Sequence, residues 1–263
     1  MKYSNIDLSV KASIATIHLS RPLAYNSIDL AMSKELFDCA IRLTTDDRVR
    51  AIVLTGQGEK AFCAGGDVSG FADDLESAQP LFREMTAYLH SAVSRLASGN
   101  APVLAAVNGV AAGAGLSLVA ACDLAVASEK ATFASAYTGI GLTPDASATF
   151  NLPRIIGVRR TMELCIAGRV LSAPEALDWG LVNRIAPATE VLEVTQAWAE
   201  KLAAGPTKAY GSIKRLLLRS FSEGLETQLE QESREISAAA HREDGREGIR
   251  AFAEKRRPSF AGV

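Results

Sequence analysis

The sequence lacks an excess of charge of either sign. Its 263 residues include 28 lysine and arginine residues and 30 aspartate and glutamate residues, for a formal net charge of -2. Proteins that bind nucleic acid neutralise phosphates with clustered basic residues. The sequence has no basic run of that kind, so we expect no nucleic-acid partner.

Histidine and cysteine are also scarce. The three histidines are too far apart to form a zinc-binding motif, and the four cysteines include no C-x-x-C pair. The sequence therefore predicts neither a metal site nor a disulfide framework, and we expect reduced thiols.

Long apolar segments are limited to one uncharged stretch, residues 96–122. Pro102, Gly109, Gly113 and Gly115 interrupt it, which favours a buried strand, turn and helix over a membrane span. The first 20 residues have no apolar core typical of a secretory signal. We expect a cytoplasmic protein with no membrane partner.

The hydrophobic content of 48% is ample for one large core. Short apolar runs at 14–19, 51–55, 102–107 and 124–127 predict strands. They alternate with helical patterns at about 27–45 and 77–98 and with a helix from about Gly113. Such alternation predicts an α/β fold with parallel strands.

The last quarter of the chain has helical patterns only, at residues 191–203, 206–220, 225–240 and 245–255. We therefore divide the chain into a core of residues 1–195 and a C-terminal helical region of residues 196–263.

Two glycine-rich turns follow neighbouring predicted strands, at residues 62–67 (FCAGGD) and 108–115 (NGVAAGAG). Glycine lets the backbone approach a ligand closely, and a helix that begins at such a turn has unpaired N–H groups. Two converging turns would aim two donors at one oxygen, as in an oxyanion hole. From spacing alone, tight turns that merely pack a helix against a strand are the commoner explanation.

One acid follows these turns, Asp145 in residues 142–149 (LTPDASAT). It precedes a predicted helix, so capping of that helix is the simplest interpretation of its position.

These motifs resemble the signatures of the enoyl-CoA hydratase/isomerase (crotonase) family. Residues 61–67 resemble the first signature, and residues 108–118 with 122–123 resemble the second. Four further elements match in order: residues 21–27 (RPLAYNS), 152–157 (LPRIIG), 173–182 (APEALDWGLV) and 252–257 (FAEKRR). The resemblance covers nearly the whole chain. It implies a spiral of ββα units and a C-terminal helical region that mediates trimers, often paired into hexamers.

The resemblance also implies a coenzyme A thioester as substrate and no tightly bound cofactor. The backbone N–H groups of Gly66 and Ala114 would hold the thioester carbonyl oxygen. The other implied contacts with coenzyme A are the backbone of Cys63, Ala64 and Gly65 and, from the same or a neighbouring subunit, the side chains of Phe252 and Lys255.

The family's reactions differ in the side chains that move protons. Its hydratases use two glutamates, and their positions fall on Ser117 and Tyr137, neither of which is a carboxylate. Its isomerases carry P-D at residues 144–145, where the aspartate moves a proton between the α and γ carbons. The resemblance therefore favours an enoyl-CoA isomerase with Asp145 as the proton shuttle, and hydratase activity is the alternative.

A second alternative comes from the family's 4-chlorobenzoyl-CoA dehalogenases, which also place an aspartate at Asp145. Their water-activating histidine aligns with His90 and a tryptophan aligns with Tyr137, whereas their ring-contacting phenylalanine falls at Gly66. A lone histidine on a helix is more often a surface or packing residue. We rank the isomerase ahead of the dehalogenase, and a non-catalytic coenzyme A binder is the alternative of another class.

The acyl group itself is left open. The side chains expected to surround it are Phe71, Leu75, Leu81, Phe82 and Tyr137, which would leave room for a medium-length or cyclic acyl group.

Overall fold

The computed structural model describes residues 3–71 and 75–263, without the side chains of residues 70, 71 and 75. In these residues the chain runs as successive ββα units. The strands are β1 (Ile6–Lys11), β2 (Ile14–Leu19), β3 (Ala51–Gly56), β4 (Ala61–Cys63), β5 (Val103–Val107), β6 (Val110–Ala112), β7 (Leu124–Ser128), β8 (Thr132–Ala134), β9 (Val170–Ser172) and β10 (Arg184–Ala186). The helices are α1 (Leu30–Thr45), α2 (Leu75–Ser98), α3 (Ala114–Ala121), α4 (Ala148–Cys165), α5 (Ala173–Asp178), α6 (Val191–Ala203), α7 (Thr207–Arg219), α8 (Leu225–His241) and α9 (Glu243–Ala253).

The strands of the described residues form two sheets. The larger has the order β1-β2-β3-β5-β7-β10 and is parallel except between β1 and β2. The smaller has the order β4-β6-β8-β9 and is antiparallel only between β8 and β9. Because β4 and β6 are parallel neighbours, the segments that follow them leave the same edge of the sheet.

The predicted α/β fold is confirmed, and every predicted strand and helix is present within a few residues. The glycine-rich turns were expected directly after β3 and β5, but each follows a further strand, β4 or β6. Those strands have three residues each, too short for a periodic signal. The antiparallel strand β1 was not predicted either. Helix α1 begins after Asp29, whose carboxylate accepts the Met32 N–H at 2.7 Å.

The four helices predicted for the end of the chain are confirmed as α6 to α9. Helix α6 packs on the larger sheet, where Ala199 and Ala203 join the core formed by Val53 and Leu104. The predicted boundary at residues 195/196 therefore falls within α6, and by its packing this helix belongs with the sheet. No helix in the described part of the chain is long and apolar enough to cross a bilayer.

Candidate active site

The two glycine turns meet at the carboxyl ends of β4 and β6. A Cβ atom placed on Gly65 would lie 3.5 Å from the Ala114 nitrogen, and one placed on Gly113 would lie 3.4 Å from the Gly65 Cα. Gly65 and Gly113 have φ angles of +107° and +52°, a region that side chains disfavour. The backbone conformation thus favours glycine at both positions, and at Gly65 an added Cβ would also lie only 3.1 Å from the Ala112 carbonyl oxygen.

The Gly66 N–H makes no hydrogen bond with the described residues. The Ile28 N–H donates to the Gly65 carbonyl at 2.8 Å, and the Asp67 N–H donates to the Ile28 carbonyl at 2.9 Å. In this parallel bridge the intervening Gly66 directs its own N–H away from Ile28. Among the described residues no acceptor is within hydrogen-bonding reach of that N–H, and a Cβ on Gly66 would meet no atom within 4 Å.

The Ala114 N–H is unpaired for a different reason. Ala114 is the first residue of α3, and the first N–H groups of a helix have no partner within the helix. Helix α3 lies directly against β4 at Gly115, where an added Cβ would overlap the Cys63 carbonyl oxygen. The positive end of the helix dipole is therefore fixed beside the Gly66 N–H, where it favours negative charge.

A hydrogen-bond network holds the first turn in place. The Arg21 guanidinium donates to Asp67 Oδ2 and to the Ser27 carbonyl, both at 2.7 Å. Asn26 donates to the Ala61 carbonyl at 2.8 Å. The Ser69 hydroxyl and the Arg21 guanidinium hold the pKa of Asp67 below its usual range. Residues 21–27 thus hold the first glycine turn in position through these hydrogen bonds. This explains why the element at residues 21–27 occurs together with the glycine signature.

Asp145 lies on the same cavity as the two N–H groups. The Tyr137 hydroxyl donates to Asp145 Oδ1 at 2.6 Å and lies 3.1 Å from Ser117 Oγ. Burial raises the pKa of Tyr137, and the negative charge of Asp145 adds to the effect, so the hydroxyl stays protonated as a donor. Asp145 Oδ2 accepts no hydrogen bond from the described residues and is available to a ligand.

The capping interpretation of Asp145 is wrong. Helix α4 begins after Ser147 with no side-chain cap, and the Asp145 carboxylate accepts a hydrogen bond from Tyr137. Ala146 and Ser147 have φ angles of +47° and +70°, which turns the chain sharply between Asp145 and the helix. The Ala146 N–H donates to His90 Nε2 at 3.0 Å. His90 therefore contacts the turn that carries Asp145.

The donors and the acid line one cavity of about 110 Å³. One face of α2 closes it with Phe82, Met85, Thr86 and Leu89. Phe82 and Tyr137 were predicted around the acyl group and do line the cavity, whereas Leu81 packs against the core. The predicted side chains of Phe71 and Leu75 are outside the described part of the structure.

Met85, Thr86 and Leu89 were missed from the sequence. Their spacing from Phe82 is three, four and seven residues, which is the signature of a single helix face and is the signal that would have found them.

The residues expected to contact coenzyme A fall into two groups. Cys63, Ala64 and Gly65 belong to the first glycine turn, and burial raises the pKa of the Cys63 thiol to about 12, so the thiol stays neutral. The Ala64 N–H already donates to the Tyr25 carbonyl at 3.0 Å. Phe252, in the last turn of α9, and Lys255, two residues beyond it, are exposed and do not line the cavity. Their contact with coenzyme A, from the same or a neighbouring subunit, stays a prediction.

The sequence and the structure are similar to those of known proteins. The profile described as enoyl-CoA hydratase/isomerase matches residues 9–263. A 4-chlorobenzoyl coenzyme A dehalogenase of Arthrobacter is 38% identical over 252 residues, which cover 94% of this chain and 90% of that protein. A 1,2-epoxyphenylacetyl-CoA isomerase of Escherichia coli K12 is 36% identical over 254 residues, which cover 96% and 97%. The crystal structure of an enoyl-CoA hydratase from Bacillus anthracis superimposes with a TM-score of 0.92 at 33% identity and covers 99% of this chain and 100% of its own. The names of these three proteins describe three different reactions.

Proposed function

The chain belongs to the enoyl-CoA hydratase/isomerase family, and from that premise we propose that it is an enoyl-CoA isomerase. Its substrate is a 3-enoyl-CoA thioester, whose double bond moves into conjugation with the carbonyl group. One observation carries the proposal: the Asp145 carboxylate lines the same cavity as Gly66 and Ala114, whose N–H groups have no partner among the described residues.

The reaction needs one proton to move between two carbons. Asp145 Oδ2 removes the α proton, and the electrons of that C–H bond form a dienolate with its negative charge on the thioester oxygen. The N–H groups of Gly66 and Ala114 stabilise this oxygen, each by about 3–4 kcal/mol. Asp145 then returns the proton to the γ carbon and the carbonyl group re-forms. No proton is gained or lost overall, so one carboxylate suffices.

Tyr137 supports this role by orienting the acid. Its hydroxyl occupies Oδ1 at 2.6 Å, which leaves the lone pairs of Oδ2 for the substrate. Because its pKa is raised, Tyr137 does not compete with Asp145 for the substrate's proton.

Hydratase chemistry is less well supported, because it needs two carboxylates around a water. The two positions hold Ser117 and Tyr137, whose hydroxyl groups are hydrogen-bonded to each other. Neither takes a proton from water at neutral pH.

Dehalogenase chemistry is favoured by the similarity to the Arthrobacter enzyme, but it needs a free imidazole nitrogen that takes a proton from water. In this chain His90 Nε2 already accepts the Ala146 N–H. By resemblance, the phenylalanine that contacts the ring in the family's dehalogenases falls at Gly66, and their tryptophan falls at Tyr137. Both features support the isomerase over the dehalogenase.

The test is incubation with 3-enoyl-CoA, 2-enoyl-CoA or 4-chlorobenzoyl-CoA in deuterated water, followed by mass spectrometry. We expect the wild type to convert 3-enoyl-CoA to 2-enoyl-CoA, and deuterium in the product reports exchange of the Asp145 carboxyl proton with solvent before it is returned. General acid–base catalysis contributes about 10²- to 10⁴-fold, so Asp145→Asn is expected to be slower by that factor. Asp178→Asn, on an exposed side chain of α5, is the matched control and keeps the wild-type rate.

Three results would overturn the proposal. Addition of water to 2-enoyl-CoA without migration of the double bond would indicate a hydratase. Replacement of chloride by hydroxyl would indicate a dehalogenase. Coenzyme A binding with no reaction of any substrate in wild type or Asp145→Asn would indicate a non-catalytic binder.

A further inference from the structure

The turn between Asp145 and α4 adopts a conformation that its residues do not favour. Ala146 and Ser147 both have φ in the left-handed region, and neither is glycine. L-residues enter this region only where the surroundings impose it. The direction of the Asp145 side chain therefore depends on contacts that hold the turn from outside.

One peptide group of this turn is bonded on both sides. The N–H of Ala146 donates to His90 Nε2 at 3.0 Å, and the carbonyl of Asp145 accepts the Ala148 N–H at 3.0 Å. These two groups belong to the same planar peptide unit, which also contains the Asp145 Cα. The bond from His90 thus fixes the plane from which the carboxylate projects.

The hydrogen bond from the Ala146 N–H also determines which nitrogen of the neutral His90 imidazole carries the proton. A neutral imidazole has one donor nitrogen and one acceptor nitrogen, so acceptance at Nε2 places the proton on Nδ1. When a second proton binds, both nitrogens become donors, and the Ala146 N–H loses its acceptor.

We propose that His90 is a positioning residue, whose neutral imidazole holds the Asp145–Ala146 peptide in its reactive orientation and whose protonation releases it. The inference rests on the proposed role of Asp145 as the acid–base group. It differs from a water-activating role, because His90 touches the backbone and not the reacting atoms.

The surroundings of His90 leave the imidazole accessible to protons from solvent. His90 lies on α2 at the edge of a groove of about 830 Å³ between α2, α4 and α7. The other ionisable groups that line this groove are Cys122, Asp123, Arg154, Tyr210 and Lys214. Lys214 and Asp123 are paired at 2.8 Å, and the Arg154 guanidinium is stacked on Phe150 at 3.5 Å.

Three substitutions separate a hydrogen-bonding role from a purely structural one. His90→Gln keeps a hydrogen-bond acceptor, the amide oxygen, at nearly the position of Nε2, but this side chain does not gain a proton on acidification. His90→Asn keeps an acceptor of shorter reach, and His90→Ala has none. At pH 8 we expect His90→Gln to retain most of the wild-type kcat, and the Asn and Ala variants to lose about fivefold to tenfold with KM nearly unchanged.

The pH profile gives the second readout. Wild-type kcat is expected to fall on acidification as His90 gains a proton, and His90→Gln should lack that component. In ¹⁵N-labelled protein, the chemical shift of the Ala146 amide should follow the protonation of the His90 imidazole with a common midpoint.

Equal kcat values for His90→Gln and His90→Ala would overturn the inference. So would a fall of kcat at low pH in His90→Gln that matches the wild type, or an Ala146 amide chemical shift that does not change as His90 is protonated. If Asp145→Asn is inactive while one of these results is found, only the role of His90 fails. If Asp145→Asn is fully active, the proposed function itself has failed, and the role of His90 fails with it.

Discussion

The part of the cavity that carries the backbone N–H groups is buried and packed, whereas the part that carries Asp145 is a turn held by side-chain hydrogen bonds. Gly66 and Ala114 are placed by the pairing of β4 with β6 and by the contact of α3 with β4. Asp145 follows an exposed segment, residues 138–141, and is held by Tyr137 and His90. The donors are therefore fixed by the topology of the chain, and the acid by a few replaceable side chains.

This difference explains how one fold supports several reactions. Any thioester needs stabilisation of its carbonyl oxygen, so the donors have to stay the same. The group that moves a proton or attacks the substrate differs between reactions, and it lies where a substitution disturbs little packing. Relatives at 33–38% identity with names for three reactions fit this division.

The largest expected effect is a loss of stability when the packing of α3 against β4 is disrupted. In Gly115→Ala the new Cβ would overlap the Cys63 carbonyl oxygen, so α3 has to move away from β4. The substitution gains about 1 kcal/mol of helix propensity, but overpacking against backbone atoms costs more. We expect the free energy of unfolding to fall by about 3 kcal/mol or more, as measured by urea denaturation.

Gly66→Ala is the matched control, because its Cβ would meet no atom within 4 Å. Its free energy of unfolding should stay within about 1 kcal/mol of the wild type. Equal losses of stability in the two variants would contradict the packing described for α3 and β4.

A smaller effect is expected from removing one of the hydrogen bonds that hold Asp145. Tyr137→Phe removes the hydroxyl that donates to Asp145 Oδ1 and leaves the ring in place. A hydrogen bond to a charged group is worth about 1.5–3 kcal/mol, so we expect kcat for isomerisation to fall about 10- to 100-fold. KM should change little, since the donors proposed to bind the thioester are untouched. Steady-state kinetics with 3-enoyl-CoA measure both values.

The control for this variant is Ser117→Ala, since Ser117 bonds the same tyrosine but does not contact Asp145. It should lower kcat less than Tyr137→Phe does. A larger loss in Ser117→Ala would mean that the serine hydroxyl, and not the link from Tyr137 to Asp145, limits the reaction.

The fold was largely predictable from the sequence because its main elements are long and regular. The continuous apolar runs of β3 and β5 indicate buried strands, and the amphipathic patterns of α6 to α9 indicate helices. The three-residue strands β4 and β6 carry no period, so the pairing that brings the two turns together was visible only in the structure. The glycines themselves marked both turns.

The sequence marked Gly66, Ala114 and Asp145, which line one cavity in the structure, but not the orientation of the Asp145 carboxylate. The position of Asp145 before α4 indicated a helix cap, and nothing local in the sequence shows that its carboxylate turns to Tyr137. The left-handed conformation of Ala146 and Ser147 has no sequence signal, since both are non-glycine residues held by tertiary contacts. The bond from His90 joins residues 56 positions apart, beyond any local pattern.

The most direct test of the account is α-proton exchange on a saturated substrate that cannot isomerise. Butyryl-CoA in deuterated water should gain deuterium at its α carbon with the wild type, because the donors stabilise the enolate while the proton taken by Asp145 exchanges with solvent and a deuteron is returned. Asp145→Asn should show no enzyme-dependent exchange while still binding butyryl-CoA. Exchange at the wild-type rate in Asp145→Asn, or none in a wild type that binds the thioester, would contradict the assignment of Asp145 as the acid–base group.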